Sequence, residues 1–277
     1  MGELNLKALV QELEHVARGA GALVMAGYRK GSTITKKGAI DLVTEYDLAS
    51  EAYITEELSR SFRHITVVGE ETQGKRTVER TDDQLRFFVD PIDGTTNFAH
   101  GHPFFCVSLG LCRGPTPLAG VIYAPALGVC WTGSVDTGAQ RNGEPCQVSE
   151  RSALIDSLCA TGFGYAVVGA EDNDNVDEFR QVQLRSRGLR RCGSAALDLA
   201  LVADGTYDAY WEFLLQPWDV AAGAALVKAA GGRVSDFRDR DVDVVTGAIV
   251  ASNGHVHREL LSALHDTRGD RPVPTRG

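Results

Sequence analysis

The N-terminal part of the chain carries two helical patterns of apolar residues. From residue 4 to about residue 28, apolar side chains such as Leu6 and Leu13 recur at spacings of three and four, which predicts a long amphipathic helix. We expect this helix to serve packing through its apolar face. A second helical pattern begins at Ala49 and ends near His64.

Short apolar runs then predict a set of strands. The run 65–68 is a short strand candidate, and the run 85–89 breaks into the acidic stretch Asp90–Phe98. Residues 72–84 are polar and are expected to form an exposed loop. Three β-rich segments between Phe105 and Trp131 are separated by Gly-Pro and Ala-Pro turns, which predicts an antiparallel meander.

Beyond about residue 150 the pattern changes to strands that alternate with helices. We place a soft boundary between two halves at residues 145–152. The tail 267–277 contains two prolines and is expected to be disordered. The predicted strands are 154–159, 207–213 and 249–252, and the predicted helices are 178–187, 193–203, 218–230 and 256–264.

Composition and charge exclude several classes of function. The chain of 277 residues is 43% hydrophobic, enough for a sizeable core, which excludes a disordered chain. Its formal net charge of −9 argues against an extensive nucleic-acid surface, because such surfaces need clustered Lys and Arg. No stretch reaches membrane-spanning length, so we expect no membrane association. The six cysteines form no CxxC pair, and we expect them to be reduced core residues of a cytoplasmic protein.

The stretch Asp90–Phe98, DPIDGTTNF, is the strongest chemical signal in the chain. It places two carboxylates, Asp90 and Asp93, three residues apart after a buried strand. Gly94 permits a tight bend, and the Thr-Thr-Asn that follows is typical of residues that cap a helix. Carboxylates suit hard cations such as Mg²⁺, and the amides of a helix start suit phosphate. This turn therefore predicts a metal-assisted phosphate site.

Two further acids share this context, since Glu70 follows an apolar strand and Asp219 begins a helix. Taken singly, such an acid is more often a turn former or a helix cap, but the combination favours a metal site. Asp219 is compatible with a cap, with a metal ligand and with a group that acts on the leaving group. Thr95 with Asp47 is a candidate pair for orienting a water, and local sequence is equally compatible with a capping role for Thr95.

These motifs resemble the inositol monophosphatase family, within the larger group of lithium-sensitive, Mg²⁺-dependent sugar and nucleotide phosphatases. The first family signature is DPIDGTTNFAHGHPFF, and the second is PWDVAAGAAL followed by AGG; VVGEE and DLVTEYD lie upstream in the expected order. The match extends over nearly the whole chain. The resemblance implies an α+β fold, a layered α-β-α-β-α sandwich, in a single domain over residues 1–266, with a homodimer as the usual assembly.

The resemblance also implies the roles of the site residues. Two or three Mg²⁺ ions would be bound, and water would attack the phosphate directly, without a covalent enzyme intermediate. The implied catalytic residues are Asp47, Glu70 and Thr95; the implied metal ligands are Glu70, Asp90, Ile92 through its carbonyl, Asp93 and Asp219; the implied substrate-binding residues are Asp93, Gly94, Thr95, Gly193, Ser194, Ala195, Glu212 and Asp219.

The implied substrate follows from the stretch Gly193–Glu212, GSAALDLALVADGTYDAYWE, which is similar to the inositol-type branch of the group. We expect hydrolysis of inositol monophosphate or a similar small polyol phosphate to alcohol and phosphate. Fructose-1,6-bisphosphatase, or another sugar or nucleotide phosphatase of the same group, is the alternative, because several inositol-type relatives accept that sugar. A non-catalytic regulatory binding protein is a further alternative, which the loss of a metal ligand would have favoured, and none is lost.

Overall fold

The computed structural model describes residues 4–30, 34–36, 42–73, 83–164, 175–268 and 273–274. Its helices are α1 (Leu6–Gly27), α2 (Glu45–Ser61), α3 (Glu70–Gln73), α4 (Thr95–Ala99), α5 (Val176–Arg185), α6 (Ala195–Ala203), α7 (Pro217–Ala229) and α8 (His257–Arg268). None of these helices is long and apolar enough to cross a bilayer. Its strands are β1 (Ile34–Lys36), β2 (Leu42–Thr44), β3 (Thr66–Gly69), β4 (Leu85–Asp93), β5 (Cys106–Arg113), β6 (Thr116–Ala124), β7 (Val129–Ser134), β8 (Gly138–Arg141), β9 (Glu144–Cys146), β10 (Leu158–Thr161), β11 (Gly188–Arg190), β12 (Ala209–Glu212), β13 (Arg233–Ser235) and β14 (Ile249–Ser252).

Two sheets contain most of these strands. The larger sheet has seven strands in the order β3-β4-β5-β6-β7-β8-β9, with β3 parallel to β4 and antiparallel pairs from β4 onward. The smaller sheet has five strands in the order β11-β10-β12-β14-β13, with parallel pairs on both sides of β10. The antiparallel meander predicted between Phe105 and Trp131 is confirmed as β5, β6 and β7.

Alternating side chains on the larger sheet separate two hydrophobic layers. On β4, Phe87 packs in the cluster that contains α1 and α2, whereas Phe88 packs in the cluster that contains α6 and α7. On the smaller sheet, Trp211 packs with Val182 of α5 and Leu260 of α8. The order of layers is α1 and α2, the larger sheet, α6 and α7, the smaller sheet, and α5 and α8. The predicted α-β-α-β-α sandwich is thereby confirmed.

Glycines allow α7 to pack closely against the larger sheet on one side and against α6 on the other. A Cβ atom at Gly120 of β6 would lie 2.3 Å from the carbonyl oxygen of Ala222 in α7, a backbone atom that cannot rotate away. A Cβ atom at Gly223 on the other side of α7 would lie 2.4 Å from Cβ of Leu199 in α6. The close approach therefore requires glycine at both contacts, and it fixes the position of the helix that begins near Asp219.

Gly120→Ala is expected to destabilise the protein by about 3 kcal/mol, because the added methyl group overlaps the backbone of α7. For a domain of this size the loss corresponds to a fall in Tm of roughly 6–12 °C, measured by circular dichroism. The control is Gly188→Ala on the edge strand β11, where the nearest atom to the added Cβ is 3.7 Å away. Equal Tm values for the two variants would contradict this packing.

A histidine at the start of α8 is buried between two serines. His257 is 3% exposed, with Ser235 Oγ 2.8 Å from its Nε2 and Ser252 Oγ 2.9 Å from its Nδ1. Burial, aided by the charge of Arg233 and opposed by that of Asp239, lowers the pKa of His257 to about 4. The folded protein therefore keeps this ring neutral at pH values where an unfolded chain protonates it.

His257 is expected to remove about 2 kcal/mol of stability as the pH falls from about 6.5 to about 4.5. The unfolded chain takes up the proton near pH ~6.5, whereas the folded chain resists it down to a pKa of about 4, so this stability is complete above the unfolded pKa and is lost below it. Urea unfolding across this range, in the wild type and in His257→Gln, measures the effect. The variant should have the flatter pH profile, and parallel profiles would show that His257 does not titrate in this way.

The cysteines agree with the prediction from their spacing. All six are free thiols, of which four are buried, while Cys146 and Cys192 are half-buried. Burial raises the pKa of Cys130 and Cys159 to about 12, so these two thiols stay protonated near neutral pH.

Some predicted boundaries differ from the structure. The strand expected to end before Asp90 continues to Asp93, and the strand expected at 154–159 begins only at Leu158, after a 3₁₀ turn at Leu154–Asp156. α8 continues to Arg268, beyond the predicted end at residue 264. Most of the loop expected at 72–84 lies outside the described residues, as do 269–272 and 275–277 of the tail. The extent of the domain, the soft boundary and the nature of the tail stay predictions.

Candidate active site

Acidic residues meet at the edge of the larger sheet where β3 and β4 end. The two strands are parallel and Gly69 pairs with Val89, so Glu70 and Asp90 follow side by side. The register of β4 against β5 shifts between Asp90 and Asp93. Residues three apart in a regular strand face opposite sides, so this irregularity explains how both carboxylates line one cleft of about 290 Å³.

Asp219 enters the same cleft from the first turn of α7. Its Oδ2 accepts a hydrogen bond of 2.7 Å from the Gln216 amide, and the two residues form a capping box. Ser108 of β5 donates a hydrogen bond of 3.2 Å to the carbonyl of Trp218, which ties this helix start to the larger sheet. Of the roles that the sequence allows for Asp219, the structure shows the cap, and it also places the side chain in the cleft.

Asp47 and Thr95 form a hydrogen-bonded pair beside the cleft. Thr95 Oγ1 lies 3.0 Å from Asp47 Oδ1 and 3.0 Å from the carbonyl oxygen of Ile92. Asp47 Oδ2 accepts hydrogen bonds from the Thr44 amide at 2.8 Å and from the Thr44 hydroxyl at 2.5 Å, as part of the capping box of α2. Asp47 is fully buried, so these donors set the orientation of its carboxylate.

Thr95 is not a helix cap, so the capping alternative is wrong. The N-cap of α4 is Gly94, whose φ of 96° favours glycine, and Thr95 is already the first helical residue. Thr96 and Asn97, which the sequence suggested as caps, also lie inside the helix. The hydroxyl of Thr95 is directed at Asp47 instead of at the helix amides.

Gly94 and Asn97 bring the two halves of the chain together at the cleft. A Cβ atom at Gly94 would lie 3.1 Å from the carbonyl oxygen of Phe104 and 3.2 Å from that of Gly193. The side-chain amide of Asn97 donates to the Phe104 carbonyl at 2.7 Å and to the Cys192 carbonyl at 2.8 Å. The signature stretch thus holds the second half in place as well as supplying acids. Sequence reasoning missed this role of Asn97.

The N-terminus of α6 forms the opposite wall of the cleft. Ser194 is its N-cap, and the Ser194 hydroxyl donates to Asp93 Oδ2 at 2.6 Å. The Ala196 amide donates to the same oxygen at 2.7 Å. Asp93 therefore binds the start of a helix from the other half of the chain, which the sequence did not predict. Gly193 and Ala195, expected to face the substrate, line the cleft beside them.

Glu212 lies at the end of β12 and also lines the cleft. Its Oε2 accepts a hydrogen bond from the Tyr210 hydroxyl, and burial raises the pKa of Glu212 to about 7. Gly162 makes room for it, since a Cβ atom there would overlap the Glu212 carboxylate. This wall of the cleft is therefore acidic and close-packed.

Buried carboxylates repel one another in the cleft. Burial raises the pKa of Asp90 well above its usual range, and the charges of Glu70, Asp93, Asp219 and Asp47 raise it further. Burial also raises the pKa of Asp93, although the hydrogen bonds it accepts have the opposite effect. Such a cluster carries more negative charge than its surroundings compensate, so a bound cation would stabilise it.

The donor set of the cleft suits a hard divalent cation, since it consists of carboxylate oxygens and the Ile92 carbonyl. Among the described residues, no three His, Cys, Asp or Glu side chains already form a compact metal cage. The acids instead come from three separate elements: Asp90 and Asp93 from β4, Glu70 from α3 and Asp219 from α7. The chemistry of the donors and their mutual repulsion fit Mg²⁺, and the ligand assignment stays a proposal.

The structure brings together every site residue that the sequence suggested. Asp47 lies behind Thr95, and the others line the cleft. Sequence reasoning missed Arg191 and Asp198, which also line it, together with the apolar wall at Phe163 and Leu214. Asp198 stands within the quoted stretch GSAALDLAL, but the small-residue helix pattern gave no reason to single it out.

Comparisons with known proteins identify the family of the chain. A sequence model described as "Inositol monophosphatase family" matches residues 5–268. A Synechocystis protein named inositol-1-monophosphatase is 42% identical over 249 residues, which cover 90% of this chain and 85% of that protein. A Pseudomonas aeruginosa protein named Nus factor SuhB is 39% identical over 252 residues, which cover 90% of this chain and 92% of that protein.

A solved structure leads to the same family. The inositol monophosphatase from Anabaena (Nostoc) sp. superimposes on this chain with a TM-score of 0.84 at 37% sequence identity. The superposition covers 95% of this chain and 98% of that one. The match is therefore to a complete fold rather than to one motif. The chain belongs to the inositol monophosphatase family, and it is a phosphatase.

Proposed function

We propose that this phosphatase is a Mg²⁺-dependent phosphomonoesterase that hydrolyses inositol monophosphate or a similar small polyol phosphate to the alcohol and phosphate. The observation that carries the proposal is the meeting of Glu70, Asp90, Asp93 and Asp219, from three elements, at the start of helix α4. Relatives that match this chain over 90% of its length, including the Synechocystis protein, are named inositol monophosphatases, which supports the substrate class.

Two or three Mg²⁺ ions would be held by oxygens that line the cleft. A bound Mg²⁺ supplies charge neutralisation of the phosphate, a lower pKa of the attacking water and stabilisation of the leaving oxygen. Asp93 would contribute while its Oδ2 remains engaged with the start of α6. The proposed ligands are Glu70, Asp90, the Ile92 carbonyl, Asp93 and Asp219, with Glu70 also counted as a catalytic residue.

Asp47 and Thr95 act as the proton-accepting pair. The Thr95 hydroxyl can donate to Asp47 Oδ1, which leaves a lone pair on Thr95 Oγ1 for a hydrogen of the attacking water. As the water attacks, its proton passes to Thr95 Oγ1 while the hydroxyl proton moves to Asp47 Oδ1. Asp47 Oδ2 stays engaged with Thr44, so the carboxylate does not rotate during the transfer.

The two ends of the substrate contact different halves of the chain. The amides of Gly94 and Thr95, at the start of α4, bind phosphate oxygens, because the first amides of a helix have no intrahelical partner. The alcohol portion lies against the turn Gly193–Ala195, and Glu212 accepts hydrogen bonds from its hydroxyl groups. Asp93 and Asp219, which both line the cleft, also touch the substrate.

The proposal extends to the setting of the enzyme. We expect a homodimer in the cytoplasm that lithium inhibits, and we expect no membrane or nucleic-acid partner. The family resemblance supports the homodimer and the inhibition by lithium. The scattered cysteines support the cytoplasm, the lack of a membrane-length stretch supports the absence of a membrane partner, and the net charge of −9 supports the absence of a nucleic-acid partner. Light scattering of the purified protein, with and without Mg²⁺, tests the dimer, and phosphate release in the presence of LiCl tests the inhibition.

A phosphate-release screen tests the function. Purified protein with Mg²⁺ would be given inositol 1-phosphate, fructose 1,6-bisphosphate, histidinol phosphate and adenosine 3′,5′-bisphosphate. We expect the highest kcat/KM for inositol 1-phosphate, and we expect EDTA to abolish the activity. A higher kcat/KM for fructose 1,6-bisphosphate would replace the proposed substrate with the alternative sugar. Release from none of the four esters would overturn the proposed substrate class.

A further inference from the structure

Asp198 is a buried carboxyl group in the cleft wall that the mechanism above does not use. It lies in the first turn of α6, is 1% exposed and lines the cleft. In the part of the chain that the structure describes, its Oδ1 is buried and has no hydrogen-bond partner. A buried carboxyl oxygen without a hydrogen-bond partner costs stability. A ligand that occupies the cleft can supply the missing hydrogen-bond donor.

The direction of the Asp198 side chain is consistent with a contact to a ligand in the cleft. Side chains on a helix tilt toward its N-terminus, so the Asp198 carboxyl points back toward Ser194 and Ala195, where the alcohol portion of the substrate is proposed to lie. The charges of Glu212, at the end of β12, and of Asp93 act on Asp198. Asp198 thus lies on the wall of the cleft that the N-terminus of α6 and the end of β12 form.

Among the residues that the structure describes, no cation fully compensates Asp198. Arg191 is the positive group that acts on it most, but Arg191 is exposed and its guanidinium lies over the ring of Phe163, 5.9 Å from the centroid. Asp93 and Glu212 add negative charge nearby. The region therefore favours hydrogen-bond donors from a ligand, and it disfavours a second phosphate group or a carboxylate.

We propose that Asp198 is a specificity-determining residue that accepts a hydrogen bond from a hydroxyl group of the substrate, so that Asp198 and Glu212 together require an alcohol with at least two further hydroxyl groups. This inference rests on the proposed function and deepens it. It selects ring polyol monophosphates over simple alkyl phosphates. It also explains why one carboxyl oxygen of Asp198, Oδ1, remains buried without a partner among the described residues, in a close-packed part of the fold.

Steady-state kinetics with two esters tests the proposal. Inositol 1-phosphate carries ring hydroxyl groups, whereas ethyl phosphate has none on its alcohol portion. For Asp198→Ala we expect KM for inositol 1-phosphate to rise by roughly 3- to 10-fold, the usual effect of losing a hydrogen bond, with kcat nearly unchanged. KM for ethyl phosphate should stay the same. Asp198→Asn, which can still accept a hydrogen bond, should recover part of the affinity.

Asp204→Asn is the matched control, because Asp204 is the C-cap of the same helix and pairs with Trp131 and Arg141 outside the cleft. It should leave both KM values unchanged. The Tm of free Asp198→Ala should be equal to or higher than that of the wild type, since a buried unpaired carboxyl is removed. A merely structural role would instead lower Tm and change both esters together.

Three results would overturn the role of Asp198. These are an equal change in KM for both esters, no change for either, and a wild type that hydrolyses ethyl phosphate but not inositol 1-phosphate. If the wild type hydrolyses neither ester, the proposed function fails, and Asp198 is then judged separately by calorimetric binding of inositol 1-phosphate in the presence of Ca²⁺. Equal affinity of wild type and Asp198→Ala in that assay would overturn it as well, and weaker binding by the variant would support it.

Discussion

Asp90→Asn is expected to lower the rate of phosphate release by about 10³-fold while leaving the fold intact. Asp90 lies within the buried strand β4, and a neutral amide there is a poor ligand for Mg²⁺. A loss of several kcal/mol of transition-state stabilisation corresponds to about three decades in rate. The Asp90 carboxyl oxygen that accepts the Ile92 amide at 2.9 Å can be replaced by the amide oxygen of Asn, so local geometry is kept.

The same substitution should stabilise the protein in the absence of metal. Burial and the neighbouring acids raise the pKa of Asp90, which means that the folded state disfavours its ionised form near neutral pH. A neutral Asn removes that cost, so the metal-free variant should have a Tm equal to or above that of the wild type. Adding Mg²⁺ should raise the Tm of the wild type and have a much smaller effect on the variant.

Asp156→Asn is the control for these measurements, since Asp156 is exposed, pairs with Arg187 and is not among the residues that line the cleft. It should keep activity and the Mg²⁺ response of the wild type. Activity of Asp90→Asn within about tenfold of the wild type would exclude Asp90 as an essential ligand. A marked fall in its metal-free Tm would show instead that Asp90 supports the fold.

Thr95→Val is expected to lower kcat by about 10²- to 10⁴-fold with little change in KM, because it removes the hydroxyl that takes up a proton from the attacking water. Valine has nearly the same shape, and the backbone amide of residue 95 remains available for phosphate. The hydrogen bond that the single hydroxyl proton makes with Asp47 Oδ1 or with the Ile92 carbonyl oxygen, both 3.0 Å away, is lost, so a modest fall in Tm accompanies the change.

Thr95→Ser is the matched control, since it restores the hydroxyl without the methyl group. Stopped-flow or single-turnover phosphate release separates the chemical step from product release for all three proteins. Recovery of activity by Ser to within about tenfold of the wild type supports proton transfer through the hydroxyl. A Ser variant as slow as the Val variant would indicate that packing of the methyl group, rather than the hydroxyl, matters for the rate.

Many helices and strands could be predicted because their patterns are local, whereas the order of the layers was implied by the family resemblance. The helical period of α1 and the apolar run that begins β4 depend only on neighbouring residues. The two acids of the signature stretch were recognised for a similar reason, since Asp90 and Asp93 follow an apolar run and two carboxylates exceed what a turn requires. Local patterns were therefore sufficient for these elements and for the acids of the candidate site, but not for the stacking of the two sheets.

Contacts between the halves of the chain could not be predicted. Asn97 binds the carbonyl of Cys192, 95 positions away, and Asp93 binds the amide of Ala196. No local sequence pattern predicts contacts between residues so far apart in the chain. Asp198 could be identified only from the structure, where its Oδ1 has no hydrogen-bond partner in the described part of the chain. Local sequence also could not decide between the two roles left open for Thr95. Gly94, with its positive φ, is the N-cap of α4, and side-chain preferences for caps do not indicate this.

The capping boxes of α2 and α7 have a consequence for how such an enzyme can lose its activity. Asp47 and Asp219 each close one of these boxes, so replacing either residue loosens a helix start, at a cost of about 1 kcal/mol, in addition to removing a reactive group. Asp90 does not cap any of the helix ends that the structure describes. A homologue that lost catalysis but kept the fold would therefore lose the least stability by replacing Asp90. Asp47 and Asp219 would still be retained in such a homologue, because they stabilise the starts of α2 and α7.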